Sequence, residues 1–157
     1  MSMTIHSNAF NDGRAIPRRY SEDGVDVSPS LTWSGSPKEA RELALIVDDP
    51  DAPTYKPWVH WVLYKIPPDV QTLPEGLPTA PTLRTPPGCL QGKNSWGGVG
   101  YHGPAPPRGH GVHHYHFHLY ALDAPLRTAQ GLDKEGLLRA MRGHILAQAE
   151  LVGTYER

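Results

Sequence analysis

Two segments of this chain concentrate the side chains that can do chemistry. Asp48-Asp49-Pro50-Asp51-Ala52-Pro53 is followed closely by Trp58-Val59-His60-Trp61. Further on, Gly100-Tyr101-His102-Gly103-Pro104-Ala105-Pro106-Pro107-Arg108-Gly109-His110-Gly111-Val112-His113-His114-Tyr115 mixes imidazoles and phenols with turn formers. Rigid turns carrying a few polar groups suit a small pocket with inward-aimed donors and acceptors. Asp49 and Asp51 flank Pro50, whose φ is fixed. In extended backbone, residues two apart share a face, where two carboxylates can accept hydrogen bonds, orient a histidine or ligate a metal. The same residues serve equally well as a plain turn after a strand. They do not form a calcium loop, which needs a central glycine and a distal Glu. His60 reads either as a hydrogen-bonded core histidine or as the partner of Asp49 or Asp51. Such a pair would favour the imidazolium and attract anions.

The histidines cluster: all of the nine but His6, His60 and His144 lie between His102 and His118. His-x-His on a strand places two imidazoles on one face, as in metal sites of β-barrels. Here no Glu follows at short spacing, so no tight metal site is expected from His114, His116 and His118. A metal-dependent enzyme built on the His110–His118 cluster is the main alternative to a binding role. Other enzyme signatures fail. Gly98-Val99-Gly100-Tyr101-His102-Gly103 matches G-x-G-x-x-G, but the prolines that follow forbid the helix a dinucleotide site requires. Ser95 lacks the glycine two residues earlier that a nucleophile elbow needs. A metal-free hydrolase using His60 or His113 as base is a third reading, weakened by the missing nucleophile.

Strands must position these groups. Residues 42–47 form a short apolar run ending at Asp48, which predicts a buried strand. Residues 58–66 are rich in aromatic and β-branched types and stop at Pro67-Pro68, predicting a second. Residues 113–122 predict a third, with His113, Tyr115, Phe117 and Leu119 on one face and His114, His116, His118 and Tyr120 on the other. Residues 69–97 read as a long loop. One helix is predicted from Asp133, its cap, with Leu137, Leu138, Met141 and Ile145 as the apolar stripe. Residues 150–155 close as a strand.

With 157 residues the chain reads as one domain spanning 1–157. Fifteen Lys+Arg against sixteen Asp+Glu give a formal charge of −1, without the basic excess of a nucleic-acid binder. The 17 prolines and 16 glycines, spread throughout, limit long helices. Cys89 is alone, so no intramolecular disulfide forms, and a reducing cytoplasm is the natural setting. Residues 1–9 show no basic start followed by an apolar run, and no stretch approaches the length of a membrane helix.

The motifs Asp49-Pro50-Asp51-Ala52-Pro53, Trp58-x-His60-Trp61 and Gly103-Pro-x-Pro106-Pro107-x-Gly109-x-Gly111-x-His113-x-Tyr115 resemble the phosphatidylethanolamine-binding proteins. The resemblance is to their compact bacterial and archaeal Raf-kinase-inhibitor-like branch. Ser28-Pro29-x-Leu31-x-Trp33, Gly143-His144-Ile145-Leu146-Ala147 and Gly153-Thr154-Tyr155 extend it over nearly the whole chain. It implies a mostly β, antiparallel sandwich-like fold: a large central sheet, a smaller sheet and a helical segment near the C-terminus. It also implies a pocket for phosphate or a phosphorylated head group, lined by Asp49, Asp51, His60, His113 and Tyr115, with Ala105, Pro106 and Pro107 as a wall. A cis X-Pro bond near Asp51-Ala52-Pro53 is implied as well. No cofactor is expected. Relatives in this branch often pair, making a homodimer an expectation, and some animal members regulate a protein partner such as a kinase. Many members carry Arg where this chain has His114, and the C-terminal helix of mammalian members is expected to be missing. The reading that results is non-enzymatic binding of a small phosphoryl-type anion.

Overall fold

The computed structural model describes residues 2–157 and is mostly β, in two sheets. The strands are β1 Thr4–His6, β2 Arg14–Ala15, β3 Leu31–Ser34, β4 Glu42–Asp49, β5 Trp58–Ile66, β6 Thr72–Leu73, β7 Leu90–Gln91, β8 His113–Leu122 and β9 Ile145–Tyr155. One α-helix, α1 Lys134–Met141, precedes β9. The small sheet runs β1-β3-β6 and the large one β2-β9-β8-β4-β5-β7. All pairings are antiparallel except β2 with β9.

The centre of the large sheet is covered on both faces, which explains the unbroken apolar run of β4. Leu43, Leu45 and Val47 pack toward the small sheet with Trp33, Trp61, Phe117 and Leu119. Ala44 and Ile46 pack on the opposite face with Val62, Tyr64, Leu137 and Met141. A sheet buried on both sides needs apolar residues at every position. The helix begins where Asp133 Oδ1 accepts a hydrogen bond from Gly136 N–H at 2.8 Å, an N-cap that satisfies an otherwise orphaned donor.

The predicted bounds of β5 and β8 hold, whereas β4 continues through Asp49 because both neighbours still pair with it there or one residue before. Ile145 belongs to β9 and not to the helical stripe. The helix ends at Met141, and Gly143 at φ 80° lets the chain turn back, a conformation glycine adopts without strain. β9 is also longer than residues 150–155. Its first half, Ile-Leu-Ala-Gln-Ala-Glu, has weak strand preference, and only pairing with β8 along its full length makes it a strand.

Gly153 sits opposite Tyr115 in that pairing. A Cβ there would lie 2.5 Å from Ile16 Cγ1 and 2.7 Å from Phe10 Cε2, so the absent side chain admits the N-terminal segment to the core. Gly153→Ala is expected to cost roughly 1–3 kcal/mol through overpacking. Urea unfolding should show a lower midpoint at unchanged m-value; an unchanged midpoint would contradict this packing.

Candidate functional site

The alternation of β4 carries past the core into its two terminal acids. Asp49 follows Leu43, Leu45 and Val47 onto the inter-sheet face, and Asp48 follows Ala44 and Ile46 onto the helix face. Both are buried. Asp49 Oδ2 accepts from His113 Nδ1–H at 2.6 Å, and His113 is itself 1% exposed. A carboxylate accepts only, so it fixes the proton of His113 on Nδ1 and leaves Nε2 facing outward. That nitrogen meets His110 Nδ1 at 2.6 Å.

Asp51 departs from the expectation. Asp49 Oδ1 accepts from the Asp51 N–H at 2.8 Å, an Asx turn that ends the extended geometry. Asp51 therefore points outward, where its Oδ2 accepts from the backbone N–H and Nδ1 of His114, both at 2.8 Å. It does not line the cleft. His114 is committed to this exposed pair. The cis bond is also elsewhere: it lies at Thr85-Pro86, and the turn around Asp51-Ala52-Pro53 is trans.

His60 reaches the cleft by a β-bulge. Val47 pairs with Trp61 and Asp48 with Val59, which leaves His60 as the extra residue of β5. Simple alternation from Val62 would send it toward the helix, but a bulge re-aims the side chain. Its ring meets Tyr115 and Trp96 edge-on, each at 5.0 Å between centroids. Its partner is neither aspartate: Nδ1–H donates to the His102 carbonyl at 2.6 Å. Burial pushes His60 down from 6.5 to about 4. The expected imidazolium is thus absent at neutral pH, and the ring offers the lone pair of Nε2.

Tyr115 supplies the remaining polar group. The residue is 1% exposed, and its hydroxyl is buried without a hydrogen-bond partner among the described residues. Burial, reinforced by Asp49, raises it well above the usual phenol range, so it stays an O–H donor. Together Asp49, His60, His113 and Tyr115 line a cavity of about 330 Å³, walled by Ala105, Pro106 and Pro107. Trp58, Trp96 and Glu22 also line it. The sequence reading missed Trp96, Glu22 and the capping contact of His110. Only spatial folding joins Trp96, stacked on His102 at 3.6 Å, to this cleft. His116 and His118 lie on the opposite face of the sheet, where Glu150 of β9 stands directly across from His118. An acid does reach them, from the neighbouring strand and not from sequence spacing.

A family model described as phosphatidylethanolamine-binding protein matches residues 6–156. The chain belongs to the phosphatidylethanolamine-binding protein family. Similarity is high to a UPF0098 protein of Methanothermobacter thermautotrophicus, 52% identical over 155 residues and covering 99% of each chain. A UPF0098 protein of Pyrococcus abyssi is 47% identical, over 96% of this chain and 84% of its own. Among solved structures, one from Chlamydia trachomatis, described as a phosphatidylethanolamine-binding protein homologue, is 44% identical with a TM-score of 0.89, covering 99% of this chain and 98% of its own. Escherichia coli YbcL, described as a new member of the mammalian family, is 32% identical with a TM-score of 0.92, covering 100% and 99%. These place the chain in the bacterial and archaeal branch of the phosphatidylethanolamine-binding proteins and support a binding-type protein. Among the described residues no helix is long and apolar enough to cross a membrane.

The depressed value of His60 links this site to stability. The neutral ring is the native form, so its contribution is complete above the ordinary 6.5 and is lost as pH falls through about 4. That shift corresponds to roughly 3 kcal/mol. His60→Asn keeps a donor for the His102 carbonyl but does not titrate. Urea unfolding at pH 7 and pH 4 should show wild type losing about 3 kcal/mol more than the variant. Equal losses would contradict a buried neutral His60.

Proposed function

We propose that the cleft binds a small phosphoryl-type anion, free phosphate or a phosphorylated head group, without transforming it. The observation that carries this reading is the buried, unpartnered hydroxyl of Tyr115 beside an imidazole that Asp49 orients. An unsatisfied buried hydroxyl costs about 1–3 kcal/mol, and a ligand oxygen accepting from it recovers that cost. His113 Nε2 is a second group for the ligand once His110 gives way.

The charges select the protonation state of the ligand. Asp49 lines the cleft and disfavours a dianion, whereas Glu22 beside it is paired with Arg157 at 3.1 Å. The neutral His60 ring has its proton on Nδ1, so Nε2 needs a donor from the ligand. An anion that keeps O–H groups meets the charge condition and supplies donors, two from dihydrogen phosphate and one from a phosphomonoester monoanion. Second phosphoryl ionisations fall near pH 6 for monoesters, so binding weakens in alkaline buffer through the ligand's own proton.

The cleft supplies no free hydroxyl or thiol nucleophile for a transformation. Thr54, its only lining hydroxyl besides Tyr115, donates to the Lys56 carbonyl at 2.5 Å. Cys89 is fully buried and pushed up to about 12 by desolvation, which keeps it a thiol.

Calorimetry with phosphate and with sulfate, which carries no proton at neutral pH, tests this reading. Phosphate at pH 6 should bind at least tenfold more tightly than sulfate, and Tyr115→Phe should lose about ten- to a hundredfold of that affinity, the worth of one charge-assisted hydrogen bond. The same variant should leave ligand-free stability equal or higher, because it removes an unpaired buried hydroxyl. Equal binding of the two anions, or a Tyr115→Phe protein that binds phosphate as wild type does, would overturn the proposal.

A further inference from the structure

On the other face of the large sheet a second constellation is built with comparable care. His116 and His118 alternate onto the outer face of β8, and their rings lie nearly parallel, 5.7 Å apart at 12°. Glu150 stands opposite His118 in register and diagonal to His116, within reach across adjacent strands. Its Oε2 lies 3.4 Å from His116 Nδ1 and 3.2 Å from His118 Nδ1. One ligand atom from each of the three residues falls within 4.8 Å of the others. Two of these separations match the edge of about 3.3 Å expected when donors sit about 2.0–2.1 Å from a shared tetrahedral ion.

The outer groups set the state of the inner ones. Asp48 Oδ1 accepts from His118 Nε2 at 3.2 Å, and Asp48 Oδ2 accepts from Lys134 Nζ at 2.6 Å. Asp48, which accepts from Lys134 as well, places a proton on His118 Nε2. That directs Nδ1 of the same ring at the Glu150 carboxylate, 3.2 Å away. A cation held between them, a metal ion or a proton, satisfies both groups. A buried carboxylate holding the far nitrogen of a ligating histidine is the outer support that metal sites use to fix tautomer and ring orientation.

We propose that His116, His118 and Glu150 form a binding site for a divalent transition-metal ion of the zinc class, with Asp48 and Lys134 as its supporting shell. Two imidazoles and one carboxylate suit zinc, cobalt, nickel or copper and not magnesium or calcium. Side-chain exposures of 26%, 27% and 48% leave a fourth position open to water or a further ligand. Two carboxylates against one ammonium leave the locality net negative, favourable to a dication. His114, the other outward histidine of this strand segment, is excluded because Asp51 holds it.

The site is independent of the anion cleft, because Asp48 and Asp49 send their carboxylates to opposite faces. The test uses untagged full-length protein stripped with a chelator, then zinc calorimetry and zinc content after dialysis. One ion per chain is expected for wild type and for His114→Ala. His118→Ala and Glu150→Gln should abolish stoichiometric uptake, and Asp48→Asn should weaken it roughly 10- to 100-fold. Cobalt loaded in place of zinc should give the visible absorption of a tetrahedral site. Because Glu150→Gln changes an exposed group, its melting curve without metal should match wild type, which separates ligand loss from misfolding. Uptake of no zinc, uptake unchanged in Glu150→Gln and His118→Ala, or uptake lost in His114→Ala would each overturn the proposal. In the first case a proton shared between His118 and Glu150 is the cation that occupies the gap.

Discussion

The constraint on which both faces of this molecule depend is the two-residue period of β4 at its C-terminal end. Leu43 through Val47 spend that period on two hydrophobic cores, and Asp48 and Asp49 inherit it. Adjacent carboxylates are thereby delivered to opposite sides of one sheet. Each meets a histidine of β8: Asp49 takes Nδ1–H of His113, and Asp48 takes Nε2–H of His118. A register slip of one residue would exchange the faces and strand both acids among apolar side chains. The packing of the cores and the orientation of the imidazoles are one decision.

Burial then determines what those groups can do. His60 is desolvated into neutrality, and the Tyr115 phenol stays protonated. The cleft therefore works through oriented donors and acceptors and not through fixed positive charge. On the proposed reading, Asp49 at its lining discriminates against high negative charge and favours an anion that keeps a proton.

Much of this arrangement was legible in the sequence. The aromatic and β-branched runs of β5 and β8 had the right bounds, and alternation alone placed His113 and Tyr115 together, away from His116 and His118. Family resemblance supplied the meeting of these residues with Asp49 and His60. What stayed hidden depended on contacts across the sequence. The bulge at His60 arises from its pairing with β4. The Asx turn at Asp49 overrode the same-face expectation for Asp51. Glu150 reaches His118 only because a weak strand former, β9, pairs along the whole of β8. Ile145 misled because its helical spacing continues past a glycine that ends the helix.

On this reading, two aspartates organise two separate histidine sites. The most direct measurement is the nitrogen-15 spectrum of the imidazoles during titration with phosphate and, separately, with zinc. Phosphate should move the ring nitrogens of His60 and His113 and leave those of His116 and His118 in place, with His60 carrying its proton on Nδ1 throughout. Zinc should do the reverse. Phosphate shifts centred on His116 and His118, or a His113 ring that phosphate leaves unmoved, would contradict this arrangement.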